Sequence, residues 1–188
     1  MHQAHRGPLI AAIGSAVLIS VSACAGLSTG HTITSATTGP AKASTKAHSV
    51  SKVGSTITLA GNTPDEKVAV TVIKVVPDAP GADEFNTPDS GNRFYAVQFR
   101  LTDTGSAAYS DSPSNGAAVV DSDGQSYQSD LSSVANCPSF PAAENIAPGN
   151  SGLGCIVFQV PKSATIATVQ FTLDSGMGPD TGQWTVNH

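Results

Sequence analysis

From residue 53 onward, apolar and polar side chains alternate with a period of two. Val68, Val70 and Val72 interleave with Lys67, Ala69 and Thr71. Tyr95, Val97, Phe99 and Leu101 interleave with Phe94, Ala96, Gln98, Arg100 and Thr102. Ile156, Phe158 and Val160 follow the same rule, as do Val169, Phe171 and Leu173. Alternating β-branched and aromatic residues mark strands with one face turned to a core. Four long strands are therefore predicted, over 67–72, 94–102, 155–160 and 168–173. Shorter runs at 56–59, 117–121, 125–128 and 183–186 add four more, and Gly, Pro, Asn, Asp and Ser clusters separate them all. No helical periodicity of useful length occurs. Seven or eight short strands in this span predict an all-β, antiparallel sandwich. Val97, Phe99, Phe158, Val169 and Phe171 should form its core, and Trp184 should pack in the core or at its edge.

The N-terminal part has a different pattern. Leu9 to Val21 is an apolar run of thirteen residues, too short for the roughly 20 that a membrane span needs. Arg6 precedes it, and Val21-Ser22-Ala23-Cys24 follows. A short apolar run, two small residues and a cysteine read as a lipoprotein signal, 1–23, with Cys24 as the lipidated first residue. The alternative is an ordinary secretory signal cut near Ala23 or Ala25. Residues 24–52 read as the lipidated cysteine and a flexible linker. Between 28 and 51, eleven of twenty-four residues are Ser or Thr, too polar to offset the entropy of ordering. The third segment, 53–188, is the sandwich.

Charge narrows the partners. All fourteen acids lie between Asp65 and Asp180, and 53–188 holds five basic residues, a net of −9. Nucleic acid needs a basic footprint, so it is not expected as a partner. An anionic membrane surface should repel the domain, leaving the lipid on Cys24 as its attachment. Outside the cytoplasm, Cys137 and Cys155 read as a disulfide; the rival is a pair of free or metal-binding thiols, with no third or fourth ligand near in sequence.

Chemistry is scarce. The five histidines are His2, His5, His31, His48 and His188, so 53–187 has none. A nucleophile–histidine arrangement cannot be built inside the predicted sandwich, and no enzymatic activity or cofactor is expected. Asp121-Ser122-Asp123-Gly124 reads first as a hairpin turn. Its alternative is a calcium loop through Asp121 and Asp123, with Asp103, Asp111 and Asp130 as further carboxylates, although the closing bidentate Glu is missing. The longer loops, 77–92, 109–116 and 129–152, are the candidate binding surface, with Phe85, Tyr109, Asp111, Phe140 and Glu144 as candidate exposed contacts.

Several segments carry a resemblance. Asp89-Ser-Gly-Asn-Arg-Phe-Tyr-Ala-Val97, Leu101-Thr-Asp-Thr-Gly105 and Tyr109-Ser-Asp-Ser-Pro113 occur in that order. They are followed by Val120-Asp-Ser-Asp-Gly124, Pro148-Gly149 and Gly154-Cys-Ile-Val-Phe-Gln-Val-Pro161. Together, over roughly 53–187, they resemble the telokin-like, immunoglobulin-like lipoproteins of actinobacteria, a family of unknown function. That family is similar in architecture to the secreted immunoprotective β-sandwich antigen of mycobacteria. Asp103 stands where Asn is usual. The resemblance implies fold, export and a Cys137–Cys155 bridge, and no reaction. The function expected is a lipid-anchored, extracytoplasmic module binding an envelope or extracellular protein. The alternatives are a host-facing surface antigen without a small ligand and a carboxylate-based hydrolase.

Overall fold

The computed structural model describes residues 47–186, with side chains from Val50 onward. The predicted signal, Cys24 and most of the predicted linker lie outside the described residues. Eleven strands are present among the described residues: β1 (Ala47–Lys52), β2 (Thr56–Ala60), β3 (Lys67–Val76), β4 (Asn92–Asp103), β5 (Tyr109–Asp111), β6 (Ala117–Asp121), β7 (Ser126–Asp130), β8 (Glu144–Ile146), β9 (Ser151–Pro161), β10 (Ile166–Thr172) and β11 (Asp180–Thr185). One helical turn, α1 (Pro113–Gly116), precedes β6.

Nine strands are hydrogen-bonded in the order β1-β11-β10-β6-β7-β9-β4-β3-β2. The band folds into two layers because β7 belongs to both. Ala118–Val120 of β6 pair with Ser126–Gln128, while Ser129 and Asp130 pair with Phe158 and Val157 of β9. Between the layers lies the main core. It takes Val68, Val70 and Val72 from β3, Val97, Phe99 and Leu101 from β4, Phe158 from β9, Val169 and Phe171 from β10, and Trp184 from β11. Phe99 and Phe171 meet across the layers with ring centroids 5.3 Å apart. Tilted aromatic pairs at this distance add to what area burial alone contributes.

All eight sequence-predicted strands are found, and all five predicted core residues are buried. Three departures have physical causes. First, the expected linker ends earlier, because 47–52 form β1. This strand is parallel to β11, so the sheet is not wholly antiparallel. Its sequence, AHSVSK, has no apolar alternation; the backbone ladder to β11 and the Thr185 hydroxyl donating to the Ser51 carbonyl hold it. Second, β5 and β8 pair only with each other, three residues each, too short to leave a periodic signal. Third, β4 over 94–97 and β9 over 154–158 are buried on both faces rather than one. Phe94, Ala96, Cys155 and Val157 point away from the main core and pack with Ala79, Val134 and Cys137 from loops. The second face is therefore covered by a layer of loops.

Candidate functional site

That loop layer is the structure's most built surface feature. It consists of the β3–β4 connection, 77–91, and the β7–β8 connection, 131–143. The two connections run side by side. Gly81 bridges Val134, Ala82 N donates to Ser133 O at 3.0 Å, and Ala135 N donates to Pro80 O at 2.9 Å. A Cβ on Gly81 would overlap the Asn86 carbonyl, so the close approach requires glycine there. The Cys137–Cys155 disulfide, with Cα atoms 5.6 Å apart, fastens the second connection to β9. Beside it, Cys155 N donates to Pro138 O at 2.8 Å. The disulfide reading is thus the one the structure adopts.

Two carboxylates organise the layer's turns. Asp83 Oδ1 accepts from Phe85 N and Asn86 N, each at 3.0 Å, and from Asn86 Nδ2 at 2.7 Å. The Asn86 side-chain bond in particular favours the charged form and lowers the Asp83 pKa. Asn86 Oδ1 in turn accepts from Ser133 N at 2.7 Å, tying the two connections together. Asp130 accepts from Ser132 N at 2.7 Å and from Gln159 Nε2 at 2.9 Å. Burial pushes the Asp130 pKa up, but the bonds from Ser132 and Gln159 outweigh it and the net shift is downward. From these fixed turns two large apolar side chains project into solvent: Phe85, 86% exposed, and Leu131, 98% exposed. Leu131 also stands at the rim of a shallow open cleft of about 180 Å³ where β7 passes between layers. Ser112, Asn115, Asp130, Ser132 and Phe140 are among its lining residues.

The sequence-predicted site residues divide. Phe85 is exposed on the layer as expected. Tyr109 and Phe140 are not surface contacts. Tyr109 is fully buried in the main core, and its hydroxyl has no hydrogen-bond partner among the described residues. Burial, and then the nearby charges of Asp111, Glu66, Glu144 and Asp174, push its pKa up. Phe140 tucks inward so that its ring lies on Gly154, where a Cβ would come within 2.6 Å of Cγ. Both aromatics look loop-borne in sequence but anchor their loops to the core. Asp111 is half-buried and holds a turn: its carboxylate accepts from Ser175 N and Ser175 Oγ, both at 2.6 Å, with Ser175 in the left-handed region at φ 53°. Glu144 is half-buried opposite Asp111 in the β5–β8 pair. Leu131 carried no sequence signal beyond being a lone apolar residue in a loop.

At the other end of β6, the Asp121–Gly124 segment forms the hairpin turn. Asp121 Oδ1 accepts from Asp123 N at 3.0 Å and Gln125 N at 2.8 Å, Oδ2 accepts from the Tyr127 hydroxyl at 2.8 Å, and Gly124 sits at φ +87°. The Tyr127 bond leads in lowering the Asp121 pKa. Turn geometry already uses both Asp121 oxygens. Among the described residues, no three His, Cys, Asp or Glu side chains converge as metal ligands, and Asp103, Asp111 and Asp130 do not join Asp121 and Asp123. No helix among them is long and apolar enough to cross a membrane.

Fold and loop layer together define a disulfide-fastened β-sandwich domain. Residues 61–180 match the model of a domain of unknown function (DUF4352), and the chain belongs to that family. Among solved structures, it is similar to MPT63, a secreted protein from Mycobacterium tuberculosis. That match has a TM-score of 0.56 and 16% identity, over 76% of this chain and 100% of that one. It is also similar to the yjhA protein from Bacillus subtilis, with a TM-score of 0.52 and 13% identity, over 73% of this chain and 99% of that one. At these identities the likeness establishes the fold alone. No curated protein matches the sequence.

Proposed function

We propose that this chain is an extracytoplasmic binding module, anchored by lipid on Cys24 and without catalytic activity, whose working surface is the loop layer. The observation that carries the reading is the disulfide-fastened layer itself. A bridge of this kind persists in oxidising compartments, which agrees with the signal-like segment ahead of Cys24. Loops ordered by a bridge, carboxylate-capped turns and cross-loop hydrogen bonds lose little freedom on binding, which favours recognition. The same connections could have covered β4 and β9 with no apolar side chain left in water, yet Phe85 and Leu131 are presented outward. A carboxylate hydrolase is disfavoured at the cleft: its lining holds one carboxylate, Asp130, already engaged by Ser132 and Gln159. A surface antigen without a ligand is the remaining alternative.

The anchor is tested by the mass of the mature N-terminus: a diacylglycerol-modified Cys24 is expected, and an unmodified start at Ala25 overturns the anchoring. Binding is tested by affinity capture from envelope extract with wild type and with Phe85→Ser. Because Ala79 of the β3–β4 connection is part of the second core, a point substitution is preferable to removing 77–92. Capture of the same protein set by both forms would contradict the loop-layer assignment.

A further inference from the structure

We infer that the loop layer docks a basic protein surface that offers an apolar recess to Phe85 and a second contact to Leu131. The inference rests on the binding-module reading and adds the chemistry of the partner.

Three observations converge. The first is exposure on a rigid support. A side chain like Phe85 normally minimises its contact with water, yet the turn that carries it is held by three bonds to Asp83 and pinned to the neighbouring connection through Asn86 and Ser133. Leu131 is held outward in the same way, next to the Asp130–Ser132 turn. Single exposed apolar residues on a surface are ordinary. Here two lie on connections that are hydrogen-bonded to each other, and aromatic residues such as Phe are enriched at the cores of interfaces.

The second observation is charge. The layer, 77–91 and 131–143, contains Asp78, Asp83, Glu84 and Asp89, with Asp130 immediately before Leu131, and no Lys, Arg or His. Among the described residues one ion pair is present, Arg93 with the exposed Asp78 at 3.9 Å. Arg93 is otherwise spent on the Pro77 and Ala164 carbonyls. The layer's own charges are therefore all acidic, with Arg93 and the exposed Lys162, whose backbone N donates to Gly91 O, at one edge; an acidic excess around the two anchors steers and selects partners of opposite charge.

The third is what this field rejects. A second copy of the domain would present the same carboxylates against themselves. An anionic bilayer or a nucleic acid would be repelled in the same way. A basic protein surface is the occupant that both the charge and the anchors favour.

The test uses the oxidised mature protein, immobilised through its N-terminal segment, and a phage-displayed library of random peptides as probe. Enriched peptides are expected to combine Lys or Arg with a large apolar residue. Their affinity should fall at least about tenfold on Phe85→Ser or Leu131→Ser, with the Trp184 fluorescence of the folded state unchanged. Glu84→Lys and added salt should weaken them too. Enriched peptides that are acidic, or binding indifferent to all three substitutions, would overturn the proposed surface while leaving a binding module in place. Absence of any enrichment over an unrelated sandwich domain would overturn the surface and count against the module itself. Phe85-dependent self-association in sedimentation, or Phe85-dependent binding to phosphatidylserine vesicles, would replace the basic partner with a second copy or a membrane.

Discussion

Replacing Cys137 and Cys155 together by alanine removes the bond that fastens the loop layer to β9. The two residues are 18 apart in sequence. The chain-entropy relation for a closed loop of that length gives a stability loss of about 3 kcal/mol at 25 °C. The other ties, Cys155 N to Pro138 O and the bonds between the two connections, do not depend on sulfur and should keep the sandwich folded. Trp184, the single tryptophan, is fully buried between the layers and reports global unfolding. With an m-value of about 1–3 kcal/mol/M, the urea midpoint should fall by about 1–3 M. Loosening the layer should also expose the face formed by Phe94, Ala96 and Val157, raising hydrophobic-dye binding before the main transition. Wild type treated with a reducing phosphine should match the variant. A loss below about 1 kcal/mol in both arms would show that the bridge does not constrain the unfolded chain as the argument requires.

Phe140→Ala should cost about 3–5 kcal/mol, since a buried ring leaves a cavity over Gly154. Gly154→Ala should cost about 1–3 kcal/mol alone and much less in the Phe140→Ala background, a coupling that a double-mutant cycle with chemical denaturation reads directly. Tyr109→Phe removes a buried hydroxyl that has no partner, so stability should stay within about 1 kcal/mol of wild type or rise; a loss above about 2 kcal/mol would reveal a partner. Glu66 has its pKa raised by burial, then by the charges of Asp174, Asp111 and Asp103. The folded state therefore holds this proton more tightly than the unfolded chain does. Stability contributed by the neutral form is lost as pH rises through the raised pKa, and Glu66→Gln should flatten that part of the stability–pH curve relative to wild type. An unchanged difference between the two proteins across that window would refute the assignment.

The sheet was legible wherever alternation was strong. Val68–Val72 and Tyr95–Leu101 have faces that differ chemically, so their burial follows from period two. The same rule misread the opposite face of β4, because Phe94 and Ala96 are buried by loops rather than by another sheet, and loop packing has no period. It missed β1 for the complementary reason: backbone pairing with β11 holds a strand whose sequence has no apolar alternation. Tyr109 and Phe140 were misplaced on the surface because an aromatic residue among Ser, Pro and Asn looks the same in sequence whether it anchors a loop or decorates it. Packing separates the two: Tyr109 is fully buried, and the Phe140 ring lies on Gly154. Phe85 was readable as a candidate from composition. That its connection runs beside the one carrying Leu131 was not, since this depends on the bond between Asn86 and Ser133, 47 residues apart.

Site-specific photocrosslinking on intact cells tests the loop layer as the working surface most directly. A photoreactive residue is placed at position 85, with a matched control at the exposed Ser122 on the β6–β7 turn. The account predicts an adduct with a basic protein from position 85 that Leu131→Ser weakens, and none from position 122. Equal adducts from both positions, or an adduct from 122 alone, would contradict it.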